Sequence, residues 1–447
     1  MSFEKLAQKA LGGHTDFDKL EAYYEKEQRL DALGVNLPDD VRLLELVSSF
    51  PKLAVDVLVE VLNVEGFTLR DEKSPVPELL WRWWQANDLD TQMHLAMTEA
   101  LVQGQSFLIV GEGTDDIPRV TVHQKKGVGI NRGLFGEVIE AVVIYGEPGE
   151  QRAAHYWPGF RQEYLKEGAN NGVWQKVGDA VPLKTQRVPV IPMTNKARIK
   201  DVKGRSEMLE VLDLADGESR SMTGLQVAQE SVALPQRYLF ANGLHQFKDQ
   251  AGNVIKKFQA YISSIWTGPE GAQAGQFPGA DLQQIINVIK LYSQKVSALT
   301  GIPPSMLGIS TDNPASAEAM RVAKDRLITK GEFKQHLFGD SIEEMAVVML
   351  DMYGKLPEKG IETLETNWRD VATPSKSAKS ANIIAAATAG LVSAHTARNH
   401  LELTPEERAY EDEHEEQFSA LAAAVGLTGQ QQTQRPAAPA APAEART

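Results

Sequence analysis

The chain of 447 residues contains no cysteine. That absence excludes a disulfide framework, a thiolate zinc site and a thiol nucleophile. The sequence also lacks any run of about eighteen apolar residues, and residues 1–13 lack the apolar segment of a secretory signal peptide. We therefore expect a soluble protein of a reducing cytosol, with no membrane contact.

Catalytic motifs are missing as well. The sequence has no G-x-x-x-x-G-K-S/T, no H-E-x-x-H and no G-x-S-x-G, and its nine histidines are scattered without ligand spacing. The carboxylates Asp213, Asp216 and Glu218 fit the polar face of an amphipathic helix better than a metal site. We expect no catalytic residue, no cofactor and no metal.

The chain has fewer basic than acidic side chains. The chain has 46 Lys and Arg against 60 Asp and Glu, a formal net charge of −14. Proteins that grip phosphates usually carry a basic excess, so stable, sequence-reading DNA binding by the whole molecule is not expected. With 42% apolar and 7% aromatic residues, the composition suits a folded, helix-rich protein of roughly two to four domains.

What is present is organised around residues 278–353. Apolar residues recur every three or four positions over residues 280–300 and predict a helix, with the stripe Leu282, Ile285, Ile286, Ile289, Tyr292, Val296 and Leu299. Gly301-Ile302-Pro303-Pro304 ends it, because neither proline donates a backbone hydrogen bond and each disfavours helix in the preceding residue. A small, nearly uncharged loop follows. Helical periodicity resumes at Ala315 and continues to about Tyr353, a rod of about 55 Å if unbroken.

The rest of the chain alternates between helical and extended patterns. Residues 17–33 and 41–64 are predicted to be helices, the second one interrupted or kinked near Pro51. Short β-rich runs between residues 106 and 192 predict a small antiparallel sheet with a hairpin turn at residues 169–172. A further strand is predicted at residues 361–367. Residues 429–447 are a Gln, Pro and Ala tail that we expect to be disordered.

Two side-chain patterns have alternative interpretations. Trp81, Trp83 and Trp84 are expected in the core or at a subunit contact, with base stacking as the alternative. Arg326, Lys330 and Lys334 recur at i, i+4 and i+8 on the long helix. We interpret this ridge as a solvated or subunit-pairing face, with direct DNA contact as the alternative.

Four ordered signatures resemble one known family. They are Y-Y-E-K-E-Q-R-L before V-E-G-F near the N-terminus, G-R-S-E at residues 204–207, T-G-I-P-P-S-M-L-G-I at 300–309 followed by A-S-A-E-A-M-R at 315–321, and T-N-W-R-D-V-A-T-P-S at 366–375. Together the chain resembles the portal proteins of tailed double-stranded DNA bacteriophages, the compact head-to-tail connectors. The resemblance implies an α+β, mainly α-helical portal fold with wing, stem, clip and crown, which assembles as a ring around a central channel.

The resemblance also implies a domain map. N-terminal helices and a β-rich wing would span residues 1–203, the first stem helix 204–236, the clip 237–278, the second stem helix 279–300, the tunnel loop 301–314, the long wing helix and a strand 315–372, a helical crown 373–428 and the disordered tail 429–447. The tunnel loop would face DNA through Ser305, Met306, Leu307, Gly308, Ile309, Ser310, Thr311, Asp312 and Asn313. The clip would dock partners through Lys248, Lys256, Lys257, Phe258, Tyr261 and Trp266.

By the same resemblance the protein would be structural rather than enzymatic. It would form a homo-oligomeric ring, expected to be a dodecamer, at one capsid vertex of the virion after assembly in the host cytoplasm. Its partners would be the large terminase subunit, a head-completion adaptor, capsid and scaffolding proteins, and double-stranded DNA that passes without sequence-specific binding during packaging and ejection. An acidic wall would repel the duplex and keep it moving.

Two other classes of protein remain open on sequence alone. One is a cytosolic α-helical scaffold or adaptor without a channel. The other is a nuclease or ATPase, although no motif supports it. An image of the oligomer would separate a ring from a scaffold.

Overall fold

The computed structural model describes residues 2–12, 16–30, 44–71, 74–147, 150–167, 172–196, 198–233, 237–240, 273–276, 281–309, 317–372 and 376–389. The chain forms two compact units, Met1–Ala372 and Thr373–Thr447. The predicted disordered tail lies outside the described residues, as does most of the predicted crown.

The first unit begins with helices α1 (Phe3–Leu11), α2 (Phe17–Tyr24) and α3 (Phe50–Val59), strand β1 (Val64–Thr68), and helices α4 (Val76–Ala86) and α5 (Leu89–Gln103). The prediction of a helix over residues 41–64, interrupted or kinked near Pro51, is correct only over Phe50–Val59, because residues 45–49 are not helical. Pro51 lies in the first turn of α3, where its missing N–H removes no helical hydrogen bond. By Val64 the chain has entered strand β1. Residues 31–43 lie outside the described part.

The tryptophan cluster belongs to the core. Trp83 and Trp84 are each 1% exposed, and the Trp84 indole donates to Asp90 Oδ1 at 2.8 Å. Trp81 stacks on Trp84 with ring centroids 5.9 Å apart. The core interpretation is therefore confirmed for Trp83 and Trp84, because their buried rings cannot also stack on bases, and Trp81 packs partly buried against the same core.

Two antiparallel sheets follow α5, where the sequence predicted one. A three-stranded sheet has the order β3–β2–β9, and a five-stranded sheet runs β4–β5–β6–β7–β8. The strands are β2 (Gln105–Gly111), β3 (Arg119–Gln124), β4 (Val128–Arg132), β5 (Val138–Tyr145), β6 (Glu150–Trp157), β7 (Phe160–Glu167), β8 (Trp174–Pro182) and β9 (Val190–Thr194). A shared apolar cluster from Phe107 and Ile109 on β2 to Ala141 and Val143 on β5 joins the two sheets.

Strand β4 had no sequence signal because Gly127 just before it and Gly129 within it interrupt the alternation. Its second residue, Gly129, lies against α1: a Cβ there would be 2.4 Å from the carbonyl oxygen of Leu6. Glycine is therefore needed for the close approach of α1 to the sheet. Of the predicted hairpin turn at residues 169–172, residues 169–171 lie outside the described part. Strands β7 and β8, on either side of it, pair antiparallel.

The second half of this unit is built on long helices. After a 3-10 turn at Glu207–Glu210 come α6 (Leu212–Ala233), β10 (Arg237–Phe240), β11 (Gln273–Gln276), α7 (Leu282–Thr300), a 3-10 turn at Pro304–Leu307 and α8 (Ala317–Met352). The predicted helices at 280–300 and 315–353 are thus confirmed within two residues. The second half of α8 is buried in the main core with α3, α4 and α5.

Strand β12 (Glu365–Trp368) closes the unit by pairing antiparallel with β1, with Phe67 opposite Thr366. The predicted strand at 361–367 is partly correct, since Ile361–Thr363 is a 3-10 turn instead. In the second unit the described helix is α9 (Lys376–Thr388). Of the described residues 48% are helical and 23% are in strands, so the predicted α+β, mainly α-helical class is confirmed.

Candidate functional site

Helices α6 and α7 lie side by side and antiparallel. Val211 and Ala215 near the start of α6 share a buried cluster with Val296 near the end of α7, and farther along α6 Gly217 lies against the Tyr292 ring. A Cβ on Gly217 would be 2.8 Å from Tyr292 Cζ, so glycine sets the spacing of the two helices. Leu299, a member of the predicted apolar stripe, is 42% exposed.

The end of α7 is fixed by its own sequence. Gly301 adopts φ +81° and its N–H donates to the Ser297 carbonyl at 2.9 Å, the left-handed C-terminal geometry that glycine adopts most easily. Ser297 Oγ donates to the Ile302 carbonyl at 2.7 Å. Ile302 is 1% exposed and belongs to the main core. The turn is therefore anchored rather than free.

The residues after the break form one exposed turn. Met306 N–H donates to the Pro303 carbonyl at 3.0 Å, and Gly308 ends the turn with φ +72°. Ser305 and Met306 are exposed, whereas Leu307 packs partly buried against the core. Of the nine predicted DNA-facing residues, Ser305–Ile309 are thus placed and Ser310–Asn313 lie outside the described residues.

Arg326 of α8 holds the end of α7. Its guanidinium donates to the Ala298 carbonyl and, at 3.3 Å, to the Leu299 carbonyl. These are carbonyls in the last turn of a helix, where the backbone has no helical donors left and the helix dipole is negative. A cation at this position satisfies both requirements, so α8 fixes where the turn points.

A buried ionic cluster lies one and two turns farther along α8. Lys330 Nζ is 2.5 Å from Glu207 Oε1 and Lys334 Nζ is 2.9 Å from Glu207 Oε2. Lys334 also donates to Asn195 Oδ1 at 2.5 Å, and Asn195 donates to the Arg205 carbonyl at 2.7 Å. Burial alone would raise the pKa of Glu207, but the two ammonium groups outweigh burial and lower that pKa to about 2.

The interpretation of Arg326, Lys330 and Lys334 as a solvated face is therefore wrong for Lys334, and Lys330 is bound to Glu207 as well, whereas the subunit-pairing interpretation stays a prediction. The side chain of Lys334 is 4% exposed, and the side chain of its partner Glu207 is 12% exposed. The i, i+4, i+8 spacing correctly places the three cations on one helix face. It could not reveal that Glu207, more than 120 residues earlier, lies opposite them.

The carboxylates of α6 also differ from the prediction of a solvated polar face. Glu218 is 7% exposed and accepts a hydrogen bond from Ser48 Oγ. Asp216 accepts from the Tyr23 hydroxyl at 3.0 Å. The segment before α3 thus runs along α6 and binds its polar groups, and Ser48 N–H donates to Ser219 Oγ at 2.9 Å.

At the other end of the α6–α7 pair, β10 and β11 form a two-stranded antiparallel ribbon. The rings of Tyr238 and Phe240 are 5.1 Å apart, and Gly275 lies directly against Tyr238. Residues 241–272 lie outside the described part. That segment contains all six predicted docking residues, which are Lys248, Lys256, Lys257, Phe258, Tyr261 and Trp266.

Nothing in the described residues resembles a catalytic or metal centre. No group of three or more His, Asp or Glu side chains in this part of the chain could hold a metal ion. In the same part no helix is long and apolar enough to cross a bilayer. The arrangement instead positions a turn and a helix pair by packing, capping and ion pairing.

Comparison with known proteins identifies the class. The family described as "Phage portal protein, SPP1 Gp6-like" matches residues 13–418, so the chain belongs to the phage portal proteins, which form the DNA channel at the capsid vertex. The chain is 33% identical over 379 residues to the portal protein of Mycobacterium phage L5, covering 80% of this chain and 76% of that protein. It is 32% identical over 385 residues to the portal protein of Mycobacterium phage D29, with the same coverage.

A solved structure shares the fold. The neck of an empty GTA particle computed with C6 symmetry aligns with a TM-score of 0.50 at 14% identity, covering 88% of this chain and 94% of that one. At this identity the similarity shows the fold alone. The family match confirms the predicted portal resemblance and the structural, non-enzymatic class, and it decides against the scaffold, nuclease and ATPase alternatives.

Proposed function

We propose that the chain is one subunit of a ring at the portal vertex of the virion, expected to be a dodecamer. In it α6 and α7 act as the stem helices that line the channel. The observation that carries this proposal is the anchored turn after α7. It is held at Ile302 by the core and at the last carbonyls of α7 by Arg326, and it presents Ser305 and Met306 outward at the start of the loop.

The loop Ser305–Asn313 is proposed to contact the duplex without gripping it. Its only charged residue is Asp312, so it has no cation that would release counterions and bind phosphate. Three basic side chains that follow it on α8 support this: Lys330 and Lys334 are bound to Glu207 and Arg326 to carbonyls. These cations position the loop, and they are not offered to DNA.

The clip, wing and crown of the predicted domain map remain part of the proposal. The β10–β11 ribbon joins α6 to α7 at the end away from the turn, which supports a clip between residues 237 and 278 that docks the large terminase subunit and then the head-completion adaptor. The two sheets before α6 correspond to the proposed wing, which would meet capsid and scaffolding proteins. Assembly is proposed to occur in the host cytoplasm.

The test separates assembly from DNA passage. Gly308→Pro forces φ to about −65° where the chain needs +72°, and deletion of residues 310–313 shortens the loop. We expect both variants to form rings in negative-stain images and mass photometry, yet to package DNA poorly. Ile199→Ser, at a side chain that is 99% exposed and lies outside the loop, serves as the control and should package normally.

Two results would count against the proposal in different ways. Wild-type protein that stays monomeric or dimeric at all concentrations would contradict the proposed ring. Rings of both variants that package at the wild-type rate would leave the ring standing and remove the role of the loop in the channel.

A further inference from the structure

The hairpin between β4 and β5 exposes two large apolar side chains to solvent. Leu134 is 90% exposed and Phe135 is 92% exposed, and they occupy adjacent positions at the tip. We name Leu134 and Phe135 the knob. Single exposed apolar residues are common, but an adjacent Leu and Phe that are almost wholly exposed mark an interaction site.

The knob is held in place by its own hairpin. Gly133 N–H donates to the Glu137 carbonyl at 2.8 Å, Phe135 N–H donates to Glu137 Oε2 at 3.0 Å, and Arg132 Nη1 donates to the Gly136 carbonyl at 2.8 Å. Gly136 adopts φ +93°, which favours glycine. A tip fixed in this way loses little conformational freedom when it binds, so the exposed pair is preorganised for a partner.

A cavity of about 680 Å³ lies elsewhere on the molecule, at the corner between α7 and α8. Two of its walls are apolar side chains, Leu299 and Phe333, which are 42% and 53% exposed. Its six charged lining residues balance, with three carboxylates, Glu207, Glu210 and Asp325, against three cations, Arg326, Lys330 and Lys334, and Lys330 and Lys334 bind Glu207 directly. We name this cavity the groove. Its apolar walls are what a partner would cover.

We propose that the knob of one copy of this chain inserts into the groove of the next copy in the ring. The inference rests on the proposed ring, which places the same two surfaces on every neighbour. A knob that fits a cavity elsewhere on the same molecule makes a head-to-tail contact, and such contacts close into rings when the rotation between copies permits. Another cavity, of about 300 Å³, is a poor alternative because its lining has four cations, Lys9, Lys125, Arg132 and Lys203, and no carboxylate, and apolar side chains would desolvate those cations.

The absence of cysteine makes a direct test possible. Leu134→Cys places one thiol on the knob while keeping Phe135, and Thr329→Cys places another in the groove. With a short bis-maleimide, the double variant should give a ladder of covalent multimers on a denaturing gel. Each single variant alone should stay monomeric on that gel, and a mixture of the two single variants should give covalent dimers and nothing larger.

A second test measures assembly. Leu134→Ser combined with Phe135→Ser, and separately Phe333→Ser, should lower the fraction of protein in rings at least tenfold by mass photometry. Each should leave the thermal unfolding temperature of the subunit unchanged. Ile199→Ser is the matched control, since Ile199 is 99% exposed but lies in neither surface, and it should assemble like wild type.

The outcomes distinguish this inference from the proposed function. Rings of the double cysteine variant that give no covalent multimers would overturn the knob-and-groove contact while leaving the ring intact, and so would a cross-link confined within single chains. Normal assembly of the knob variants would overturn it as well. A wild-type protein without rings would instead remove the proposed function itself.

Discussion

The two halves of α8 differ in what they contact. From Phe338 to Met352 the helix is part of the main core, where Phe338, Ile342, Ala346 and Leu350 are each 0% exposed. Toward its start, Val322 is 61% exposed and Phe333 is 53% exposed. There Leu327 still reaches the main core, but the helix contacts the end of α7 and the turn at Glu207–Glu210 through polar groups, namely Arg326, Lys330 and Lys334.

The two halves of α8 therefore have different roles: one stabilises the fold, and the other positions the end of α7. The second half contributes apolar burial, which stabilises the fold without directing it to a single geometry. The first half contributes ion pairs and a helix cap, which have specific geometry and fix where α7 ends. Mutations in the two halves should therefore affect different properties, and the following three predictions test that separation.

The largest effect is expected from Phe338→Ala. Removing a fully buried Phe side chain loses its transfer free energy and leaves a cavity, so the free energy of unfolding should fall by about 3–5 kcal/mol. Phe333→Ala, five residues earlier and half exposed, is the matched control and should change it by less than about 1 kcal/mol. Urea unfolding of the two variants measures both values. Similar losses in the two variants would contradict the division of α8.

A smaller effect is expected from Glu207→Gln, which leaves Lys334 buried without its carboxylate. The free energy of unfolding at neutral pH should fall by about 3 kcal/mol. The pKa of Glu207 is about 2 in the folded chain against an ordinary 4.5. The stabilisation is therefore fully present above about pH 4.5 and is lost as pH falls toward 2.

The pH dependence is read as the difference in unfolding free energy between wild type and Glu207→Gln. That difference should shrink between pH 4.5 and 2. Glu210→Gln is the control, since Glu210 lies in the same 3-10 turn but is exposed, and it should match wild type throughout. A constant difference across this range would show that Glu207 does not titrate against the two lysines.

The smallest effect on stability is expected from Arg326→Met. It removes hydrogen bonds from a charged donor to the last carbonyls of α7, at an exposed site, and should cost about 1 kcal/mol. Hydrogen exchange at the amides of residues 301–309 should rise more than in the core half of α8. Arg326→Lys keeps the charge but not the planar fork, and should give an intermediate result. Unchanged exchange in both variants would mean that the turn is held by Ile302 alone.

Several elements were predictable because their cause lies in neighbouring residues. The break after Thr300 follows from Gly301 and two prolines, and α7 and α8 follow from apolar periodicity. Strand β4 and the β1–β12 pair were missed. Strand β4 depends on Gly129, whose lack of a side chain lets α1 approach the sheet. The β1–β12 pair joins segments about 300 residues apart. The local sequence pattern gives no information about either of these two contacts.

The sequence by itself determined the long helices, the proline break between them, the absence of thiol chemistry and the portal family, because these depend on local propensity and on residues present or absent. The tertiary structure alone decided that Lys330 and Lys334 bind Glu207, that Glu218 is buried under Ser48, and that Leu134 and Phe135 stay exposed while equally apolar residues do not. Burial and ion pairing depend on distances between segments far apart in the chain, and only folding sets those distances.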